Sequence, residues 1–233
     1  MADFVLKITE VTRMRSLYCV AGWSPVAKRM VRPLPKGEYW SLQQLQFFGA
    51  DKIVKPGLQV RFRISNKALS GDFPHRTENV IVDEKIELAG KGASFIWFGD
   101  EAPYGASTLA EAFPVFLRGE KRADGAIKGN FIPAGSQTHS LCGLNLPAES
   151  LRFKEEINYK GNKQLRAEFI DVNGRYNLPV VAKNLLDLYD SDGVDCVNRS
   201  LPTTGRLHIR IGLARPFDNQ PNQCYVMMNG VNW

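Results

Sequence analysis

Cysteine and histidine are scarce in this chain, and neither is arranged for metal or redox chemistry. The four cysteines, Cys19, Cys142, Cys196 and Cys224, form no CxxC pair, and their spacing fits no zinc pattern. The three histidines, His75, His139 and His208, are scattered. No metal and no cofactor are expected. Also missing are a phosphate loop of the GxxxxGKS/T type, a GxGxxG fingerprint and a GxSxG elbow, which argues against nucleotide hydrolysis and serine hydrolysis. No stretch clusters acids with a Lys or His as a nuclease would need, although folding can still assemble distant acids. A non-enzyme is therefore expected. No run of about 18 apolar residues occurs, so no transmembrane helix is expected. The start, MADFVLKITEV, lacks a basic head followed by an apolar core, so no signal peptide is read. A cytoplasmic protein with reduced thiols follows as the expectation. Cys19 and Cys224 lie in apolar strings and are expected to pack as small hydrophobes.

What is present is ordinary for a globular protein. The 233 residues are 44% apolar and 23% charged, which excludes disorder, collagen and coiled coil as the main architecture. The length suits one large domain or two small ones. The net charge of +6 is uneven. Residues 1–90 hold 14 Lys/Arg against 9 Asp/Glu, a balance of +5. Residues 91–150 hold 5 against 6, and residues 151–233 hold 11 against 9. The excess sits in the first third. It points to an anionic partner such as nucleic acid, or serves only to keep the protein soluble.

Both ends of the chain read as β-structure. FVLKITEV, SLYCVAGW and RMVRPLP supply three strand candidates before residue 36. In LQVRFRIS, Leu58, Val60, Phe62 and Ile64 alternate with Gln59, Arg61, Arg63 and Ser65, a half-buried strand with a basic outer side. ENVIVDEKIEL is a further strand, and SLQQLQFFGA (Ser41 to Ala50) is a candidate short helix. In the middle, Ser107 or Thr108 can cap a helix through LAEAF, limited by Pro114. Toward the end, LRFKEEINY and KQLRAEFIDVNG read as a hairpin around Lys160 to Asn162. Leu185, Leu186 and Tyr189 fall on one helical face. RLHIRIGLARPF alternates strictly, with Leu207, Ile209, Ile211 and Leu213 expected inward and Arg206, His208 and Arg210 outward. CYVMMNGVNW closes the chain as its partner strand. DLYDSDGVD lacks the acid that a calcium loop needs, since Leu201 stands at that position, so it reads as a helix end with a turn.

Short strands separated by turns, with a helix or two between, suit small β-barrels better than a parallel α/β sheet. The expected fold is mainly β: two tandem OB-like barrels over residues 1–92 and 139–233, joined by a mixed helical connector over 93–138. Three strings sharpen this. TRMRSLYCVAGWSPVAKRMVRPLP (Thr12 to Pro35), FPHRTENVIV (Phe73 to Val82) and LHIRIGLARPF with CYVMMNGVNW (Leu207 to Trp233) together resemble the dual-OB-containing domain family of bacterial proteins. In that family a strand ending in a Cys-x-Ala-Gly-like turn leads into an Arg-Pro strand. A short His-containing segment follows, and an Arg-Pro strand and an Asn-Gly strand close the chain. The resemblance spans almost the whole sequence. It implies tandem OB-like barrels, nucleic-acid binding and a place in bacterial antiviral defence, and it brings no catalytic residues.

Single-stranded nucleic acid is held by aromatic rings that stack on bases and by cations that track phosphates. The first third has both kinds of residue. Arg13, Arg15, Lys28, Arg29 and Arg32 lie on or beside the second and third strands, and Arg61 and Arg63 share one strand face. The two arginines either touch phosphate or form a solvated face. Trp40 is the candidate stacking ring among Trp23, Tyr39, Phe47 and Phe48, several of which must be core. His75 and Arg76, in FPHRTEN, either hold a turn or help to position a ligand. Arg32 and Arg215, each before a proline, sit at strand ends, where they cap a rim or face a groove. The expected partner is thus nucleic acid, bound as a single strand by the first barrel. The competing reading is an adaptor subunit docking another protein through Trp97, Phe98 and Trp233, with an enzyme or nucleotide sensor a distant third.

Overall fold

The structure, a computed structural model, describes residues 3–36, 39–47, 53–66, 71–90, 104–115, 117–158 and 160–232. In chain order these form β1 (Asp3–Met14), β2 (Leu17–Ser24), β3 (Arg29–Leu34), β4 (Gln59–Asn66), β5 (Asn79–Gly90), α1 (Leu109–Ala112), β6 (Arg118–Lys121) and β7 (Ala126–Pro133). They continue with β8 (Leu141–Pro147), β9 (Leu151–Ile157), β10 (Lys163–Asp171), β11 (Gly174–Pro179), α2 (Lys183–Arg199), β12 (Arg206–Leu213) and β13 (Gln223–Asn232). The chain is mainly β and divides into two compact units, residues 1–97 and 98–233. No helix among the described residues is long and apolar enough to cross a membrane.

The first unit is a closed barrel in the order β1-β2-β3-β5-β4. β1 is long enough to serve two neighbours. Its first half, Asp3 to Lys7, pairs with β4, and Lys7 to Met14 pairs with β2. A register shift between Ile8 and Glu10 lets the strand bend from one partner to the other. β3 changes partner in the same way: Arg29 to Val31 face β2, and Arg32 to Leu34 run parallel to β5. Pro33 therefore stands where the β2 ladder has ended, and its missing N–H interrupts no bond there. This succession, an antiparallel meander, a parallel step from third to fifth strand and closure through the fourth, is the OB arrangement. Leu6, Val20, Trp40, Val60 and Phe62 fill the interior. The expected alternation of β4 holds, with Val60 and Phe62 buried and Arg61 and Arg63 exposed.

Residues 41–47 form a turn rather than the start of a helix. Ser41 Oγ accepts from the Gln44 N–H, and Gln44 Oε1 accepts from the Ser41 N–H, which satisfies a single turn locally. Gln46 then bridges to Ile53, so the chain leaves the helical path. Residues 48–50 of that expectation lie outside the described ones.

The second unit repeats the same pairing logic with its strands in another chain order. β9, β10 and β11 form an antiparallel meander. β11 runs parallel to β7, and β7 antiparallel to β13. The strand that makes the parallel step thus precedes the meander instead of following it. β12 and β8 extend the sheet beyond β13, and β6 pairs with β7. The edge strands β8 and β9 are consecutive, joined only by the 3-10 turn Ala148–Ser150, and both feed one core with Ile132, Phe169, Leu178 and Ile209. The sheet thus wraps around its own interior, an OB-like half-barrel. Of the segment read as a connector, the described residues are built into this unit: β6 and β7 belong to its sheet, and the backbone of Ala106 bonds across to Gly143 and Asn145 of β8. Thr108 caps α1 in a capping box with Glu111, as its sequence suggested.

α2 runs past Asp190 but breaks at Gly193 (φ 77, ψ 177), so DLYDSDGVD is a helix end and a restart. Its Asn198 guards the sheet edge. Asn198 Oδ1 accepts from the Phe153 N–H at 2.8 Å, and its Nδ2 donates to the Phe153 carbonyl at 2.9 Å. A side chain there takes the place of a neighbouring strand and blunts β9 as a template for pairing.

Candidate nucleic-acid interface

The expected site residues separate into three groups. Trp40, Arg32 and His75 belong to the interior of the first barrel. Trp40 is fully buried, tilts against Phe62 with ring centroids 6.0 Å apart, and donates its indole N–H to the Pro33 carbonyl at 2.9 Å. Its ring cannot meet a base without unpacking the core. Arg32 is buried and donates to Asn79 Oδ1 at 2.9 Å. His75 is buried at the head of a 3-10 turn, His75–Thr77. Arg32 thus links β3 to Asn79 at the start of β5, and Trp40 is tied to β3 through Pro33.

Arg61 and Arg63 form the second group. Both are exposed on β4, as alternation predicted, but they do not make a basic face. Arg61 lies 3.7 Å from Glu87, and Arg63 lies 3.5 Å from Asp3. The shallow groove here is lined by Asp3, Arg61, Arg63, Asp83, Lys85 and Glu87, so three cations meet three carboxylates and the local charge cancels.

The third group stays outward. Arg15 occupies the two-residue turn between β1 and β2 with φ 61, and Lys28 closes the β2–β3 turn with φ 49. Arg13 is half-buried opposite Tyr18. Arg29 donates from Nη1 to the Thr77 carbonyl, which places it beside the segment carrying the exposed Arg76. That bond ties the end of the β2–β3 turn, where Lys28 is exposed, to the segment that carries the exposed Arg76, so cations from two distant stretches lie near this part of the barrel. Of the other rings considered, Phe47 is buried, while Phe48, Trp97, Phe98 and Trp233 lie outside the described residues.

Two features of the second unit escaped the sequence reading. On β12, Leu207, Ile209, Ile211 and Leu213 point into the core as expected, but His208 and Arg210 are buried too, at 0% and 1% exposure. This corrects the outward assignment of those two, while Arg206 is exposed as expected. β12 lies between β8 and β13, and from Leu207 to Leu213 both of its faces are buried. His208 Nδ1 sits 2.6 Å from Asn145 Oδ1; with the amide oxygen accepting, Nδ1 carries the proton. Burial, reinforced by the nearby Arg210 guanidinium, pushes the imidazole pKa down to about 3 and keeps the ring neutral. Space for the His208 ring comes from Gly143, where a Cβ would stand 2.6 Å from it; a Cβ at Gly212 would stand 2.1 Å from Asn229 Nδ2.

The other feature is the outer face of the meander. Lys128, Lys154, Arg166 and Arg175 interleave there with Glu156 and Glu168. Lys128 binds both Glu156 oxygens at 3.0 and 2.9 Å, Lys154 binds Glu168 at 2.7 Å, and Arg175 approaches Glu168 at 3.8 Å. Burial raises the Glu156 carboxyl, but the hydrogen bonds from Lys128 and Asn177 outweigh it and hold the group below its ordinary range. Among the described residues, no group of three or more His, Cys, Asp or Glu could hold a metal ion. None of the four cysteines is in a disulfide. Compared with known proteins, the chain matches no family model and no curated protein.

Proposed function

We propose that this chain is a non-enzymatic nucleic-acid-binding module that takes single strands on the rim of its first barrel. The observation that carries the reading is the hydrogen bond by which Arg29, next to the exposed Lys28, joins the segment carrying the exposed Arg76 on a closed five-stranded OB barrel. An OB barrel offers oligomers a strand face and flanking loops. Exposed cations at such a rim supply the salt-sensitive phosphate attraction that single-strand binding needs. Four cysteines without a disulfide suit a cytoplasmic setting. The resemblance to the dual-OB-containing domain family extends the proposal to a bacterial antiviral role.

The test is fluorescence anisotropy with a labelled single-stranded oligonucleotide across a salt series. Binding weakens as salt rises, because neutralised phosphates release counterions. Replacing Lys28 and Arg76 together by Glu weakens binding across sequences and flattens the salt slope by roughly 0.7 for each phosphate that is no longer neutralised. Charge reversal at Arg61 and Arg63 costs less, since Glu87 and Asp3 already neutralise them. Absence of binding to single-stranded DNA and RNA at low salt refutes the proposal.

A further inference from the structure

From the pairing of β6, β7 and β13 we infer a base-stacking platform on the second unit, formed by Phe131, Tyr225 and Phe217. The inference rests on the nucleic-acid reading above and adds to it where bases, rather than phosphates, are held.

Phe131 of β7 pairs directly with Tyr225 of β13 on one side and with Arg118 of β6 on the other. Directly paired residues share a sheet face, so the three form a row across three strands. That face is the outer one: the next residues, Ile132, Cys224 and Val226, point into the core. The Phe131 and Tyr225 rings lie 5.8 Å apart. Phe217, in the loop between β12 and β13, lies 6.1 Å from Tyr225 and is 47% exposed. Phe131 and Tyr225 keep part of their surface open.

Three adjoining rings on an outer face are an unusual use of apolar surface in a chain whose core is otherwise closed, and their neighbours suit an anionic ligand. Arg118 ends the row and Arg215 precedes Phe217 by two residues; Lys128 lies on the same face of β7 but is bound to both Glu156 oxygens. Two exposed acids stand nearby: Glu120, which Arg122 approaches at 3.5 Å, and Asp218, beside Phe217 in the loop. Rings with flanking cations are the combination that holds single strands, because every base has a π-face and each phosphate a charge. A duplex keeps its bases stacked internally and gains nothing from the rings. Unpaired bases are therefore the ligand.

The experiment compares the full chain with its Phe217→Ala and Phe131→Leu variants against three probes: single-stranded oligo(dT), the corresponding duplex, and inorganic polyphosphate, which has charge but no bases. Phe217 is exposed, so its removal leaves folding intact, as circular dichroism will show. Both variants lose affinity for oligo(dT) by about fivefold or more and keep wild-type affinity for polyphosphate and duplex. Phe217→Trp retains oligo(dT) binding. Ultraviolet crosslinking of a bromouracil-containing strand maps to the segment 215–225 or to Phe131. Unchanged oligo(dT) affinity in both variants, with binding still abolished by charge reversal at Lys28 and Arg76, overturns the platform and leaves the nucleic-acid reading standing. No binding of any nucleic acid by the wild type overturns both.

Discussion

Acid should destabilise this protein through one histidine before the carboxylates titrate. The His208 imidazole is fully buried, bonded to Asn145 and next to Arg210, and its pKa falls to about 3 from an ordinary 6.5. Because the folded value is depressed, the unfolded chain binds a proton that the folded chain refuses. Stability is complete above the unfolded pKa of 6.5 and drains away as pH falls toward the folded value. At about 1.4 kcal/mol per pH unit, moving from neutral pH to about pH 5 removes about 2 kcal/mol through this group alone. The perturbation is His208→Gln, which keeps a hydrogen-bonding amide for Asn145 and cannot take the charge. Urea unfolding, followed by tryptophan fluorescence at both pH values, gives the stability change of each protein. His75 and His139 are common to both proteins and cancel in the difference. Wild type should lose about 2 kcal/mol more than the variant over that interval. Equal losses would refute the account, and would mean that the imidazole is charged in the fold or that its face opens to water.

The other consequences for stability follow from close packing and edge protection. Gly143→Ala puts a methyl 2.5 Å from the Tyr104 carbonyl oxygen and 2.6 Å from the His208 ring. It should cost about 1–3 kcal/mol in thermal unfolding, and an unchanged Tm would show that β8 yields freely. Asn198→Ala strips both the N–H and the carbonyl of Phe153 of their side-chain partners. It should cost about 1–3 kcal/mol and raise concentration-dependent light scattering as the β9 edge is uncovered. If only the stability falls, Asn198 anchors α2 without guarding the edge.

Periodicity made the strands legible and said little about their surroundings. The alternation in LQVRFRIS and RLHIRIGLARPF located β4 and β12 equally well, and the inward residues of both were assigned rightly. The outward residues met different fates. On β4 they face solvent, because the barrel covers only one side. On β12 Arg206 faces solvent at the start of the strand, whereas His208 and Arg210 are as buried as the core, so there the second face is covered as well. A period of two reports that the faces differ, not that one is wet. The signal that bears on the difference is Gly143 of β8, where a Cβ would stand 2.6 Å from the His208 ring. That glycine is far from His208 in sequence, and only the strand register brings the two together.

The same limit shifts attention from the first barrel toward the second as a binding surface. Counting charge placed the excess in residues 1–90, but pairing cancels it on β4 and folding removes Arg32 from solvent, which leaves Lys28, Arg29 and Arg76. The second unit carries little net charge, yet it sets three aromatic rings side by side, with Phe131 and Tyr225 on an outer sheet face. Net charge is additive along a chain and survives any fold, whereas stacking surface exists only where strands align their rings. Phe131, Phe217 and Tyr225 span nearly a hundred residues (225 − 131 = 94) and share no motif, so register assembled what no local string could announce. Lys28→Glu should lower the salt dependence of binding and Phe217→Ala the affinity for unpaired bases, each variant reporting on its own unit.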